Sequence, residues 1–304
     1  MPIPEIKPGR KIHGASAVLL PFRGNDPDWS GFEAVLAATL LAGLVPAVNM
    51  DTGSTQFIDE ATRARVLEIT GQQCDEFIAG CFVADQEGSA VNVSAYQTEV
   101  DRVVAAGALP IVFPSWGLNS LPEADLVPTL ARIAENCDAF LGFELGPQFV
   151  PYGRIYELST FRELLGLNKC VGAKHSSLSR QLEWQRLALR DECRQDFRVY
   201  TGNDLAIDMV MWGSDYLLGL STFDPAGFAA RDRCWELEDP AFFEINDRLQ
   251  YLGAFAFRAP VPGYKHNAAQ LLKLKGVIQD DSCPPGTPPR PDTDIDILKT
   301  WLDT

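Results

Sequence analysis

The sequence lacks the short motifs that mark metal, dinucleotide and serine-hydrolase sites. Its 304 residues include only three histidines, and its seven cysteines form no CxxC pair. The cysteines are scattered and odd in number, which is typical neither of a disulfide framework nor of a structural zinc site, so we expect reduced, mostly buried thiols and no metal. No GxGxxG follows the first predicted strand and no GxSxG occurs, which argues against dinucleotide binding and against a hydrolase triad. We therefore expect no bound cofactor.

Positive charge is also scarce. Lys and Arg number 26 against 41 Asp and Glu, which gives a net charge of −15. Because neutralising phosphates needs clustered Lys and Arg, this balance argues against nucleic acid and anionic membrane surfaces as partners. No apolar run reaches the roughly 18 residues of a membrane span, and the opening MPIPEIKPGRK has no apolar signal segment. We therefore expect a cytoplasmic protein.

What the sequence does contain is an alternation of short apolar runs with amphipathic stretches. Buried parallel strands are typically near-continuous apolar runs, and strands that alternate with helices form βαβ units. Eight such repeats predict an α/β fold, a closed (β/α)8 TIM barrel. The predicted strands are Ser16–Leu20, Val45–Asn49, Phe77–Val83, Leu109–Phe113, Phe140–Leu145, Lys169–Lys174, Arg198–Thr201 and Tyr216–Ser221.

The alternation stops before the C-terminus. Residues 1–237 are predicted to form the barrel and residues 238–304 a C-terminal helical extension. The proline-rich stretch Ser282–Pro291 cannot be helical and is predicted to be a loop. The predicted helices of the extension are Pro240–Phe255, Tyr264–Gly276 and Asp294–Leu302.

Two helix starts inside the barrel are predicted from capping boxes. In this pattern a Ser or Thr side chain and a Glu three residues later satisfy two free backbone N–H groups. Ser120-Leu-Pro-Glu123 and Thr160-Phe-Arg-Glu163 both fit the pattern. We therefore expect helices to begin at Ser120 and Thr160.

Lys174 is the residue that most strongly indicates chemistry. Functional side chains of such barrels lie at the C-terminal ends of strands, and Lys174 ends the run Cys170-Val-Gly-Ala-Lys174. Facing the barrel interior, its amine would lose hydration, which lowers its pKa and allows the neutral amine to form a Schiff base with a carbonyl. The alternative is a strand-end lysine in solvent. The position of Lys174 in the sequence does not decide between these two environments.

A carboxylate lies near the end of the fifth predicted strand. Glu144 belongs to Phe143-Glu-Leu-Gly146 and is surrounded by apolar residues. Such a carboxylate is either a general acid/base with a raised pKa or the partner of a buried cation, for which Lys174 is the natural candidate. The alternative is a structural ion pair without a chemical role.

Five segments are informative through their order and spacing. They are His13–Phe22, Asp51–Ser54, Val171–Ser177, Tyr200–Asp204, and Tyr264–Gly276 followed by Pro289-Arg-Pro291. With these motifs the chain resembles, over nearly its whole length, the dihydrodipicolinate synthase / N-acetylneuraminate lyase family of class I aldolases. The resemblance implies a (β/α)8 barrel with C-terminal helices, a tendency to form tetramers, and Lys174 as the Schiff-base lysine.

The resemblance also implies a substrate site around Lys174. Asp51, Thr52 and Gly53 lie where the family has its Thr-Thr-Gly loop, so Thr52 and the backbone N–H groups of this loop would hold a substrate oxygen. Asn203 and Asp204 match the Gly-Asp/Asn-Asp strand end, where they would bind hydroxyls or shape the pocket.

The chain departs from the family's pattern where proton transfer and carboxylate binding are expected. The position of the family's catalytic tyrosine falls at Gly146, so we expect Glu144, on the same strand face, to supply the acid/base function. Tyr152 lies downstream and is a weaker candidate, and Arg154 lies close to the position of a carboxylate-binding arginine. Asp51 replaces a threonine and would repel a carboxylate, so we expect weaker pyruvate binding.

The sequence thus predicts a Schiff-base-forming lyase that acts on a 2-oxo acid or related small carbonyl compound through an imine on Lys174. Two alternatives stay open: a sugar-acid dehydratase that uses the same imine route, and a catalytically inactive barrel that binds a small molecule. The expected partners are the small carbonyl substrate and further copies of the chain, in a tetramer or dimer.

Overall fold

Eight parallel strands close into a barrel in the computed structural model, which describes residues 3–304. The hydrogen-bonded order is β1-β8-β7-β6-β5-β4-β3-β2, with β2 paired to β1, so the predicted (β/α)8 barrel is confirmed. Residues 1 and 2 of the predicted barrel segment lie outside the described range. The strands are β1 Gly14–Ala17, β2 Val45–Val48, β3 Ile78–Cys81, β4 Leu109–Val112, β5 Phe140–Leu145, β6 Cys170–Ser176, β7 Arg198–Thr201 and β8 Asp215–Leu218.

Helices alternate with the strands and continue after the last one. A 3-10 helix, Ile207–Trp212, takes the place of an α-helix between β7 and β8. No helix within residues 3–304 is long and apolar enough to cross a membrane. The α-helices are α1 Trp29–Leu41, α2 Glu60–Gln73, α3 Val93–Ala105, α4 Trp116–Asn119, α5 Glu123–Ile133, α6 Leu158–Leu165, α7 Arg180–Cys193, α8 Pro225–Glu236, α9 Ala241–Ala256, α10 Tyr264–Leu274 and α11 Asp294–Leu302.

Several helices begin at side-chain caps, but not at the two predicted capping boxes. Asn92 and Ser179 accept hydrogen bonds from the backbone N–H groups of Ala95 and Leu182, which satisfies free donors at the starts of α3 and α7. Ser120 instead ends the short helix α4, and Thr160 lies inside α6. Both predicted helix starts were therefore wrong.

The reason for these two errors is tertiary. The Ser120 hydroxyl donates to the carbonyl of Gly117, 3.0 Å away, in the preceding turn. The Thr160 hydroxyl donates to the Glu123 carboxylate at the start of α5. Ser120 thus bonds back into α4, and Thr160 bonds across to α5, which local sequence cannot distinguish from capping within one helix.

The interior of the barrel near its C-terminal end is lined by aromatic rings. Phe113 packs edge to face against both Phe82 and Phe143, with ring centroids 5.6 and 5.4 Å apart. The parallel register places Phe143 on β5 directly beside Lys174 on β6. Side chains of register-paired residues share a face of the sheet, so the lysine lies against the apolar layer that fills the barrel.

The C-terminal helices are joined by side-chain contacts across long loops. Arg290, in the predicted proline-rich loop, donates hydrogen bonds to the carbonyls of Ala256 and Pro260. The Trp301 indole on α11 donates to the carbonyl of Arg248 on α9, at 2.9 Å. Ser282–Pro291 contains no helix, as predicted. The division of the chain at residue 237 stays our proposal.

Candidate active site

Lys174 projects from β6 into the barrel. Its side chain shares the inner face with Gly172 and Ser176, because side chains alternate along a strand. The Nζ atom lies 4.8 Å from the centre of the Phe143 ring, and the residue is only 7% exposed. A Cβ on Gly202 of the next strand's end would lie 2.9 Å from Lys174 Cε. Glycine at position 202 therefore leaves the room that the lysine side chain occupies.

Burial changes the ionisation of Lys174. Loss of hydration lowers its pKa to about 8, and the negative charges of Asp204 and Asp51 limit the decrease. The amine is therefore neutral in a substantial fraction of molecules slightly above neutral pH. A neutral amine is the form that attacks a carbonyl carbon.

Asp51 is the anionic centre of the loop that follows β2. Its Oδ1 atom accepts hydrogen bonds from Gln56 Nε2 at 2.6 Å and Lys265 Nζ at 3.3 Å, and its Oδ2 atom accepts one from the Tyr264 hydroxyl at 3.0 Å. Burial alone would raise the pKa of Asp51, but the charge of Lys265 and these hydrogen bonds hold it below its usual value. Asp51 therefore stays ionised.

Thr52 faces the same tyrosine. The Thr52 hydroxyl and the Tyr264 hydroxyl are 2.8 Å apart, and both residues are buried. The Cβ position of Gly53 has ordinary van der Waals distances to its neighbours, with the Val18 carbonyl nearest at 3.4 Å. The loop Asp51–Gly53 is thus held at the barrel mouth by α10 of the C-terminal extension.

Tyr264 and Lys265 were missed by sequence reasoning as site residues. They were expected only as part of a C-terminal helix, and Tyr264 lies 212 residues from Thr52 in the chain. The Lys265 side chain is 1% exposed and packs near the Phe57 ring as well as against Asp51. The sequence carried no signal of this role, because the burial of Lys265 and its pairing with Asp51 depend on the fold.

Asn203 and Asp204 follow β7 and lie in different environments. The Asp204 Oδ1 atom accepts a hydrogen bond from Leu220 N at 2.7 Å, and burial raises the pKa of this carboxyl to about 7 despite the positive charge of Lys174. Asn203 Oδ1 accepts a hydrogen bond from Leu205 N, whereas its Nδ2 is buried without a partner among residues 3–304. Asp204 thus interacts with Lys174, and Asn203 shapes the turn beside it.

Glu144 does not face Lys174, contrary to the expectation from the sequence. The register pairs Glu144 with His175, on the outer face of the barrel wall. Glu144 accepts hydrogen bonds from His175 Nδ1 at 2.7 Å, from Arg186 Nη2 at 2.7 Å and from Tyr156 N at 3.0 Å. Neighbouring residues of a strand point to opposite faces, so a register that differs by one residue moves a side chain to the other face. The Glu144 carboxylate therefore lies on the opposite face of the barrel wall from Lys174.

The surroundings of Glu144 also disfavour proton transfer. Burial alone would raise its pKa, but His175 and the Arg186 guanidinium lower it to about 2. A carboxylate with so low a pKa stays ionised and cannot return a proton near neutral pH. Its contacts join β5, β6 and α7, which is the structural ion pair that the sequence left as the alternative.

The other two sequence candidates have distinct positions. Arg154 is bonded to the Glu123 carboxylate and to the Asn119 carbonyl, so its guanidinium is occupied. The Tyr152 hydroxyl is buried without a hydrogen-bond partner among residues 3–304, and its ring packs against Trp116 at 5.5 Å. Burial, with the charges of Asp51 and Asp85, raises the pKa of the Tyr152 hydroxyl well above its usual value.

A separate cavity lies at the opposite end of the barrel. It has a volume of about 250 Å³ and is lined by residues near the N-terminal ends of the strands, including His13, Glu76 and Arg198. None of the predicted site residues lines it. Within residues 3–304 no group of three or more His, Cys, Asp or Glu side chains could hold a metal ion. The chemistry-bearing cluster is therefore the one around Lys174, at the end where barrel active sites lie.

The fold is that of dihydrodipicolinate synthases, as comparison with solved structures shows. The dihydrodipicolinate synthase from Thermotoga maritima superimposes with a TM-score of 0.79 at 18% identity, over 96% of this chain and 98% of that one. The enzyme from Rhodopseudomonas palustris gives a TM-score of 0.80 at 16% identity, over 98% and 99%. A prophage protein of the dihydrodipicolinic acid synthase family from E. coli K12, solved with pyruvate, gives 0.80 at 16%, over 96% and 97%. No family model and no curated protein sequence matches the chain.

Proposed function

We propose that the protein is a Schiff-base-forming lyase in which Lys174 is the nucleophile. The observation that carries the proposal is the position of Lys174: a buried amine on the inner face of a strand end, with its pKa lowered to about 8. The likeness of the fold to dihydrodipicolinate synthases supports a lyase.

The reaction begins with attack of the neutral Lys174 amine on a substrate carbonyl. Loss of water gives a protonated imine, which withdraws electrons from the neighbouring carbon so that a bond to this carbon can break or form. Asp51 and Asp204 carry the negative charge that stabilises this cation. The hydroxyls of Thr52 and Tyr264 provide hydrogen-bonding groups at the same mouth.

The substrate belongs to the 2-oxo acids and related small carbonyl compounds, and within this group the site favours compounds without a carboxylate beside the carbonyl. The pyruvate complex of the E. coli K12 relative supports this class. Asp51, an ionised carboxylate close enough to influence Lys174, disfavours a substrate carboxylate beside the carbonyl. We therefore propose weak binding of pyruvate itself and stronger binding of hydroxylated carbonyl compounds. Elimination from a sugar acid would use the same imine.

Borohydride trapping tests the proposal. The protein is incubated with a panel of 2-oxo acids, ketoses and aldehydes, reduced, and measured by intact mass. We expect an adduct that is lost in Lys174→Ala and kept in Lys299→Ala, which removes an exposed lysine on α11. Absence of an adduct with every compound would favour the alternative, a barrel that binds small molecules without turnover.

The quaternary state and location are further proposals. We propose a homo-oligomer, a tetramer or dimer, in the cytoplasm, on the resemblance and the composition given above. Light scattering after size-exclusion chromatography would measure the mass against the 33.4 kDa of one chain. A monomer at micromolar concentration would contradict the oligomer.

A further inference from the structure

We propose that Asp204 is the residue that accepts and returns the proton in the imine chemistry, with Asp51 as a fixed charge. This proposal rests on the proposed function of Lys174. It assigns the acid/base step to a different strand from the one that the sequence indicated, and it gives the two carboxylates near the lysine separate roles.

The hydrogen bonds distinguish the two carboxylates. Asp51 is contacted through both oxygens by Gln56, Tyr264 and Lys265, all of which stabilise the ionised form. Among residues 3–304, the Asp204 carboxylate accepts a hydrogen bond from one other residue, from Leu220 N to Oδ1, whereas Gln250 Nε2 donates to the backbone carbonyl of Asp204. The Asp204 Oδ2 atom is therefore the carboxylate oxygen that has room for a proton.

The pKa values of Asp51 and Asp204 also differ. The pKa of Asp51 is held below its usual value by Lys265, whereas burial raises that of Asp204 to about 7. Two neighbouring carboxyls whose pKa values are separated in this way are suited to a stabilising and a proton-transferring role. The groups that face Asp204 from other elements are Lys174 on β6, Asp51 after β2 and Tyr264 on α10.

Asp204 lies in the turn that follows β7, beside Lys174. Gly202 lies against Lys174 Cε, and Asp204 follows two residues later. The Asn203 carbonyl accepts a hydrogen bond from Ala206 N at 2.9 Å, which closes this turn around Asp204. The carboxylate is therefore held at the same end of the barrel as the amine, and its charge acts on Lys174.

Cleavage of a β-hydroxy carbonyl compound would proceed through an imine and an enamine. Lys174 Nζ condenses with the carbonyl, one proton is taken up from solvent and water leaves, which gives a protonated imine; the final hydrolysis releases this proton again. Asp204 takes the proton of the β-hydroxyl, the bond between the α and β carbons breaks, and its electron pair moves to the imine nitrogen while an aldehyde leaves. Asp204 then returns the proton to the α carbon of the enamine, and water releases the second product from Lys174.

Hydrogen exchange tests this assignment without knowledge of the natural substrate. The wild type and Asp204→Asn are incubated in heavy water at pH 9 with pyruvate, hydroxyacetone and dihydroxyacetone, and deuterium at the α carbon is followed by NMR. Borohydride trapping is measured in parallel. Asparagine keeps an oxygen for Leu220 N, so the turn is retained. Asp101→Asn, an exposed aspartate on α3, is the matched control.

We expect Asp204→Asn to form the trapped imine within about twofold of wild type while α-exchange falls about 10²–10⁴-fold, the range for a general acid/base. Asp204→Glu should recover part of the exchange with a changed pH profile. Wild-type exchange in Asp204→Asn, or loss of imine trapping in the folded variant, overturns the assignment while the proposed function survives. No imine in the wild type with any compound overturns both.

Discussion

Replacement of Glu144 by glutamine should destabilise the fold and leave imine formation intact. The carboxylate lies on the outer face of the barrel wall, and its side chain and that of His175 are both fully buried. Its partner Arg186 has a side chain that is 2% exposed. Glutamine cannot balance this buried guanidinium, so the variant leaves a positive charge in the protein interior without its counterion.

The expected loss can be derived in two ways. Breaking one partner of a buried ion pair typically costs about 3–5 kcal/mol. The pKa of Glu144 is lowered from 4.5 to about 2, which corresponds to about 3 kcal/mol of stability. Because the folded pKa is the lower one, this contribution is complete above pH 4.5 and disappears as the pH falls towards 2. Both routes predict a loss of about 3 kcal/mol or more at pH 7.

Equilibrium unfolding in urea at pH 7 measures this loss, with Glu192→Gln as the matched control. Glu192 pairs with Arg162 at the surface, where its side chain is 65% exposed, and such pairs contribute about 1 kcal/mol or less. Trapping by borohydride is measured on both variants below their unfolding transitions. A Glu144→Gln protein as stable as the control, or one that is folded but forms no imine, would refute the structural role.

Two further predictions concern the surroundings of Lys174. Gly202→Ala should slow imine trapping and lower the free energy of unfolding by about 1–3 kcal/mol, because its Cβ would overlap Ser176 Oγ and lie 2.9 Å from Lys174 Cε. Urea unfolding and trapping rates measure the two effects, and a wild-type trapping rate would contradict the expected overlap. The trapping rate of the wild type should rise with pH around a midpoint of about 8, because the neutral amine reacts and burial lowers the pKa of Lys174 from 10.5. A midpoint near 10.5 in a pH series would instead indicate a solvated lysine.

Much of the fold could be predicted because the barrel's periodicity is local. The apolar runs over Phe140–Leu145 and Arg198–Thr201 have the same bounds as the observed strands β5 and β7. Buried parallel strands bury both faces and therefore stand out as continuous apolar segments. The predicted position of Lys174 at a strand end likewise depends only on its neighbours in the sequence.

The parts of the site that could not be predicted depend on relations between distant segments. Lys265 reaches Asp51 across 214 residues of chain, through the placement of α10 over the barrel mouth. Glu144 was assigned to the correct strand, but the face on which it lies depends on the side-chain phase along β5 and on its register with β6. No local pattern determines this phase, since β5 is buried on both faces.

Identification of the lysine that carries a reduced adduct is the measurement that tests the account most directly. The protein is trapped with the best compound of the carbonyl panel, digested, and sequenced by tandem mass spectrometry. We expect the added mass on Lys174 in the β6 peptide and an unmodified Lys265. An adduct on Lys265, or on surface lysines in proportion to their exposure, would contradict the assignment of Lys174 as the nucleophile.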